Sequence, residues 1–92
     1  MTAPRLVKSY SAAGVMIAVY RCEKAGDGLD WHNHAFGHTS DARIGRILCE
    51  TEDGKSVVIG PDDAAVSFRP IVRHRLVALD DGAEFQNMFP AP

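Results

Sequence analysis

The residues of this chain best suited to chemistry are its histidines, of which there are 4. His32, His34 and His38 lie in one short segment, and His74 lies far along the chain. Neutral imidazole is a common ligand for zinc, iron, nickel and copper, and several imidazoles that converge on one point suit a divalent metal ion. A lone histidine is more often a hydrogen-bonded core or surface residue, so the residue types alone leave both interpretations open.

The spacing of the clustered histidines predicts a shared face. Residues two apart in a β-strand point to the same side, so a strand through His32 and His34 presents both imidazoles to one face. Gly37 permits a bend that can return the side chain of His38 to that face. The segment therefore predicts three imidazoles on one side of the chain.

His74 is the remaining candidate ligand. In segment 71–79 apolar residues alternate with arginines, and His74 falls in the apolar register. This alternation predicts a strand with His74 on its buried face and charge on its other face. The proposed metal site then contains every histidine of the chain.

Closely spaced turn signals divide the chain into short strands. Asp53-Gly54 is a strong hairpin signal, because both residues tolerate the positive φ of a type I′ turn. No window shows a sustained helical period, so we expect an all-β sandwich or barrel. The predicted strands are segments 15–20, 46–50, 56–59, 65–68, 71–79 and 85–89.

The composition excludes several classes of protein. We expect one domain, residues 1–92, because a second core is not available at this length. The hydrophobic share of 46% and charged share of 24% are ordinary for globular proteins and exclude disorder. A formal net charge of −2 argues against a nucleic-acid or anionic-membrane surface.

The basic residues Arg69, Arg73 and Arg75 have two interpretations. They can lie on the solvent face of a strand, where polar residues are normal. They can instead form an anion-binding rim for a carboxylate or phosphate.

The expected compartment is the cytoplasm. The first residues are polar and lack the apolar region of a signal peptide, and no apolar run has the length of a membrane span. Cys22 and Cys49 are too few for a disulfide framework and are interpreted as small apolar strand residues.

The histidine segment resembles the first motif of the cupins. The pattern Gly26-x5-His32-x-His34-x3-His38-x6-Gly45 has the spacing of that motif, with His38 where the family usually has glutamate.

The second cupin motif is matched more loosely. His74 corresponds to its single histidine, while Pro70 is one position late, Ile71 occupies the usual glycine and Ala78 the usual asparagine. The resemblance covers roughly residues 15–89.

The resemblance implies a double-stranded β-helix, the jelly-roll or cupin barrel, with one divalent metal ion at one end of its lumen. It implies His32, His34, His38 and His74 as ligands of Fe, Ni, Zn, Cu or Mn. Because His38 replaces the one anionic ligand, an anionic small-molecule ligand is expected in the open positions. It also implies a homodimer.

Three classes of function remain open. The first is a metal-dependent enzyme on a small organic molecule, most plausibly a non-haem dioxygenase or related oxidoreductase. The second is a non-catalytic cupin that binds metal or a small ligand, and the third is a metal-free structural or interaction domain. Fold and metal do not name the reaction, and no catalytic residue is assigned.

Two further sets of residues are candidates for the lumen. The carboxylates Glu23, Asp30 and Asp41 can act as acid or base, or lie in solvated turns and strand edges. Five large side chains can line a pocket or fill the barrel core. They are Tyr20, Trp31, Phe36, Phe68 and Met88.

Overall fold

The structure is a computed structural model that describes residues 1–91, and it is built from short strands. Nine strands lie within those residues. They are β1 (Arg5–Ala12), β2 (Val15–Cys22), β3 (Gly28–His32), β4 (His38–Ile44), β5 (Ile47–Thr51), β6 (Ser56–Ile59), β7 (Val66–Phe68), β8 (His74–Ala78) and β9 (Ala83–Pro90).

The strands form two antiparallel sheets, one of order β1-β2-β9-β4-β7 and one of order β3-β8-β5-β6. After β2 the chain crosses from sheet to sheet at nearly every connection, and only the β5–β6 hairpin stays within one sheet. This is the jelly-roll arrangement, and the predicted all-β class is confirmed. Strands β3 and β8 are neighbours in one sheet, and β4 lies in the other. Residues far apart in sequence therefore meet at one end of the barrel.

The core lies between the inner faces of the two sheets. Along β8 the buried residues His74, Leu76 and Ala78 alternate with partly exposed ones, as the pattern of segment 71–79 predicts. Cys22 and Cys49 are buried free thiols, as predicted. The buried apolar cluster consists of Cys22, Ala42, Ile47, Cys49, Ile59, Phe68, Leu76, Ala78, Ala83 and Phe85.

The predicted hairpin exists, but its turn is of another type. Strands β5 and β6 pair around residues 52–55. Gly54 has φ 90° and its N–H donates to the Thr51 carbonyl at 3.1 Å, whereas Asp53 does not have positive φ. A type I′ turn needs positive φ at both central residues, so that prediction was wrong. The four-residue loop needs left-handed backbone only at glycine.

Several boundaries differ from the prediction. Strands β1 and β4 were not predicted, and β8 begins at His74 rather than residue 71. Strand β3 ends at His32, so His34 lies in the following loop and the expected single strand through both was wrong. Within residues 1–91 no helix has the length and hydropathy to cross a membrane.

Left-handed backbone occurs at both ends of the histidine motif, and Ala13 and Ile71 adopt it although they are not glycine. Gly26 and Gly45 have φ 96° and 71°, which explains why the motif has glycine at these positions. Ile71, at the usual glycine of the second motif, has φ 73° and is 70% exposed. A β-branched residue in this conformation is strained, and so exposed a side chain gains little from packing.

Replacing Ile71 with glycine is therefore expected to stabilise the fold. Relief of a left-handed isoleucine outweighs the added entropy of the unfolded glycine, for a net gain of about 1 kcal/mol. Urea unfolding of wild type and Ile71→Gly measures the difference. The matched control is Ile44→Gly, an exposed isoleucine in β4 without positive φ, which is expected to lose stability. A loss in both variants would contradict the strain at Ile71.

Candidate metal centre

The four histidines come from three strand ends and one loop. His32 ends β3 and pairs across the sheet with His74, which begins β8. His38 begins β4 and pairs with Phe68 at the end of β7 in the other sheet. His34 lies in the loop between β3 and β4. These positions bring both histidine segments to the same end of the barrel.

The imidazole rings form one contiguous group, here called the histidine cluster (His32, His34, His38 and His74). The ring centroids of His32 and His74 lie 4.4 Å apart, and those of His32 and His34 lie 4.8 Å apart. The ring of His38 lies 4.7 Å from His74 and 5.2 Å from His34. One ligand atom from each of His32, His34 and His74 lies within 4.8 Å of the others, and His38 is outside that closer group.

Backbone carbonyls set the tautomer of two rings. His32 Nδ1 lies 2.6 Å from the Asp30 carbonyl oxygen, and His74 Nδ1 lies 2.9 Å from the Val72 carbonyl oxygen. A carbonyl only accepts, so in both rings Nδ1 carries the proton and Nε2 keeps its lone pair. Such a hydrogen bond orients metal-binding histidines in proteins generally.

Two ring nitrogens are buried without a partner. The Nε2 atoms of His38 and His74 make no hydrogen bond with the residues described here, although both residues are at most 6% exposed. A buried polar atom left unpaired costs about 1–3 kcal/mol, so each such atom in a native fold needs an explanation. A metal ion among the imidazoles accounts for both, and the donor set fits a divalent transition metal.

Burial favours the neutral form of three imidazoles, those of His34, His38 and His74. Burial, reinforced by His74, His34 and His32, lowers the pKa of His38 to about 4. Burial also lowers the pKa of His74, although its hydrogen bond to the Val72 carbonyl acts in the opposite direction. The pKa of His34 is lowered by burial and then by His32. Neutral imidazole is the form that binds metal.

Aromatic rings hold the imidazoles from both sides. The ring of Phe68 stacks on His74 at 4.4 Å and on His38 at 5.0 Å. Phe36 stacks on His34 at 5.1 Å and on Phe89 at 5.5 Å. Because Phe36 is 43% exposed, it covers His34 on the solvent side of the cluster.

The strained turn at Ile71 holds the loop that carries His34. The Ile71 N–H donates to the His34 carbonyl at 2.7 Å, and Asn33 Nδ2 donates to the Ile71 carbonyl at 3.2 Å. These two bonds join the loop before β4 to the turn before β8. The left-handed backbone at Ile71 therefore positions one candidate ligand relative to another.

A pocket of about 230 Å³ adjoins the histidine cluster and is mainly apolar. We call it the lumen pocket. Phe36 and Tyr20 line it, in agreement with one of the two interpretations of the aromatic residues. Leu29, Asn87 and Phe89 were missed, although the alternation of Ala83, Phe85 and Asn87 along β9 could have shown that Asn87 faces inward. Its lining residues are Tyr20, Leu29, His32, His34, Phe36, His38, Asn87 and Phe89.

Other candidate lining residues lie elsewhere. Trp31 packs against the guanidinium of Arg75, whose Cζ lies 5.1 Å from the ring centroid. Met88 lines a larger open groove of about 690 Å³, to which the cluster contributes only His38. Phe68 packs against imidazoles rather than lining the lumen pocket.

The candidate carboxylates also lie outside the lumen pocket. Glu23 pairs with Arg21 at 3.3 Å, and Asp30 accepts from the backbone N–H of Trp31 at 2.8 Å. Asp41 accepts from Gln86 Nε2 at 3.3 Å. A role for any of them as acid or base in this pocket is not supported by their positions.

The arginines with two interpretations lie away from the histidine cluster, and Arg75 fits the interpretation of a strand's outer face. Arg75 pairs with Glu50 at 2.7 Å, and Arg69 and Arg73 are exposed. None of the three lines the lumen pocket, and the register of β8 turns Arg75 to the outer face. Only Arg75 lies within a strand.

Several solved structures are similar to this chain over nearly its whole length. KdgF from Halomonas sp. has a TM-score of 0.79 and 19% identity, over 97% of this chain and 79% of that chain. A cupin-2 domain containing protein from Shewanella frigidimarina has a TM-score of 0.71 and 15% identity, over 95% of this chain and 78% of that chain.

A larger protein shares the fold over part of its length. Oxalate decarboxylase from Bacillus subtilis, described for its Mn(II) centres, has a TM-score of 0.69 and 22% identity over 85% of this chain and 21% of that chain. No family model matches the sequence, and no curated protein matches it significantly. At these identities the likeness is one of fold.

The lowered pKa of His38 predicts an acid-sensitive fold in the metal-free protein. The unfolded chain protonates this histidine near pH 6.5, whereas the folded chain does so only near pH 4. The unfolded state therefore binds more protons in this window, and the free energy of unfolding falls as pH falls, by up to about 1.4 kcal/mol per pH unit from His38.

Urea unfolding with a chelator at several pH values between 7 and 4 tests this. In His38→Gln the free energy of unfolding is expected to fall less steeply with pH, because the group with the large pKa shift is gone while His34 and His74 remain. Equal declines in wild type and variant would show that His38 is not responsible.

Proposed function

We propose that this chain, which has the cupin fold, binds one divalent transition-metal ion through His32, His34 and His74. His38 is the fourth imidazole of the proposed site. The observation that carries the proposal is the pair of buried, unpartnered Nε2 atoms on His38 and His74 within a group of converging rings. The Nδ1 hydrogen bonds of His32 and His74 support it, because they leave Nε2 as the ligand atom.

The charge of the site favours borderline metals and an anionic ligand. Four neutral imidazoles leave the charge of a divalent ion uncompensated, and a carboxylate-poor site favours Zn, Ni, Cu or Fe(II) over Mg or Ca. A bound metal would supply Lewis-acid or redox chemistry to a molecule beside it. The Mn(II) centres described for the structurally similar oxalate decarboxylase add support for a metal in this fold.

The lumen pocket sets the size of the molecule. Its volume of about 230 Å³ is below the range of about 300–1,000 Å³ typical of drug-sized ligands. Phe36 and Phe89 stack on each other at its wall. We propose a small organic molecule as ligand, and an oxidoreductase of the non-haem dioxygenase type as the activity.

A specific observation favours a second candidate, a non-catalytic binding protein. No carboxylate lines the lumen pocket among the described residues, so a general acid or base other than the imidazoles or Tyr20 is missing. Such a protein would retain its ligand without converting it.

The remaining proposals concern the assembly. We propose a single domain, supported by the one buried apolar cluster shared by both sheets. We propose a homodimer, supported by the edge strand β1, whose eight residues are all exposed and include Leu6, Val7 and Tyr10. The unpaired thiols Cys22 and Cys49 support a reducing compartment such as the cytoplasm.

Metal analysis of histidine variants tests the proposed site. Purified wild type incubated with Zn, Ni or Fe(II) is expected to hold one equivalent, and both His34→Ala and His74→Ala are expected to lose it. Because metal binds the folded state, loading is also expected to raise the thermal midpoint of wild type. His38→Gln reports whether His38 is a ligand, since loss of a ligand weakens metal affinity and loss of a neighbour does not.

Glu52→Gln is the control for adventitious binding by carboxylates on the outer face, and is expected to keep full metal content. Circular dichroism verifies that each variant folds. A wild type that binds no metal under any of these conditions, or binding that persists in both alanine variants, would overturn the proposed centre.

Turnover separates the two candidate functions. Metal-loaded protein is incubated in air with a panel of small organic acids, and ligand and products are followed by mass spectrometry. An oxidoreductase is expected to consume a ligand with uptake of oxygen, and His74→Ala is expected to abolish this. Retention of a ligand without any product would favour the binding protein.

A further inference from the structure

A polar side chain faces the histidine cluster from the other sheet. Asn87 lies in the inward register of β9, is 8% exposed and lines the lumen pocket. His32 and His74 belong to β3 and β8 of the opposite sheet. A nine-tenths buried amide in a mainly apolar wall costs free energy unless its hydrogen-bonding groups are used.

One end of this amide is occupied within the barrel. Ser40 pairs with Asn87 across β4 and β9, and its hydroxyl donates to Asn87 Oδ1 at 2.5 Å. Ser40 is 1% exposed, and this is the only acceptor its hydroxyl has among the described residues. In the amide rotated by half a turn, Nδ2 could donate to Ser40 Oγ, but the buried Ser40 O–H would then have no acceptor. The orientation with Oδ1 towards Ser40 is therefore the favoured one.

The other end of the amide is then directed away from Ser40. Asn87 Nδ2 donates to no protein acceptor within residues 1–91. Apart from the histidines and Tyr20, Asn87 is the polar residue among those that line the lumen pocket. Its N–H groups are donors in a pocket that His38 and His34 also line. We propose that Asn87 is a specificity-determining residue that donates to an oxygen of the ligand, and that Ser40 is the positioning residue that orients it.

The donor at Asn87 assigns a chemical class to the ligand. This inference rests on the proposed function. The pocket offers a donor at Asn87 and apolar contacts from Leu29 and Phe89, and no carboxylate lines it within residues 1–91. The fitting molecule is a small carboxylic acid, ionised, with a short apolar body. An ammonium group would find no carboxylate to pair with in that lining.

The composition of the chain makes a direct test possible. Three side-chain amides occur, on Asn33, Gln86 and Asn87. Asn33 donates to the Ile71 carbonyl and Gln86 to Asp41, so both have protein partners away from the pocket and act as internal controls. Nitrogen-15 spectra therefore resolve the Asn87 amide against two references in the same sample.

The probes are 3-methylbutanoate and 3-methylbutylamine, which share an apolar body and differ in the acceptor. Each is titrated into the full chain, once with a chelator and once with Zn. The carboxylate is expected to shift the Asn87 amide signals and leave those of Asn33 and Gln86 in place, while the amine shifts none. Asn87 signals that do not respond to the carboxylate in either sample would overturn the inference.

Substitutions separate a donor role from a packing role. Asn87→Leu keeps the volume and removes the donor, and is expected to weaken carboxylate binding by about tenfold or more, as for loss of a hydrogen bond to a charged group. Asn87→Asp replaces the donor with an acceptor and is expected to reverse the preference towards the amine. Equal carboxylate affinity in wild type and both variants would contradict the donor.

Ser40→Ala leaves Asn87 in place but removes its orienting hydroxyl. Discrimination between carboxylate and amine is expected to fall while the metal content stays at the wild-type value, an outcome that a general loss of folding would not produce. Unchanged discrimination would exclude Ser40 as the positioning residue. Metal content is measured on every sample. A carboxylate response in a Zn-treated sample that holds no metal would support the amide and reject the metal centre, and metal without that response would do the reverse.

Discussion

The cross-strand pairing of β3 with β8 is the constraint on which the site depends. It sets His32 directly opposite His74 and so joins two segments that are 42 positions apart in the sequence. Because side chains alternate along a strand, a shift of one residue in β8 would send His74 to the outer face and bring Arg75 inward. The buried register of Leu76 and Ala78 opposes that shift, so the same apolar burial that stabilises the sheet also places the imidazole.

Around this pairing the structure tolerates two kinds of unfavourable local state. Ile71 holds left-handed backbone that would suit glycine, and two imidazole nitrogens are buried without partners. Each costs stability in a domain that has little to spare. Both occur at the same end of the barrel, and the Ile71 turn is hydrogen-bonded to the loop of His34. Ala13 also has left-handed backbone and Asp41 Oδ1 is also buried without a partner, so such costs are not confined to the cluster. Where they occur beside converging histidines they are typical of a functional site.

The surroundings of the cluster differ from wall to wall. Phe68 packs beneath the rings of His38 and His74, while Phe36 covers His34 on the solvent side. The remaining wall carries the amide of Asn87, oriented by a serine that has almost no exposure. Charged residues are kept to the outer faces, where Arg75 pairs with Glu50. The lumen is thus neutral apart from whatever ion the imidazoles hold, which makes it sensitive to the charge of a ligand.

The sequence by itself determined the all-β class, the inward register of β8 and the candidate set of four histidines, because these depend on local alternation and on residue type. It did not determine the end of β3 before His34, the turn at Asp53-Gly54, or the position of Trp31 outside the lumen pocket. Those depend on which strands pair and on which loops are tied together, and only the tertiary structure decided them. The role of Asn87 belongs to the same group, since its meaning comes from Ser40, 47 positions away, across a strand pair that no local pattern specifies.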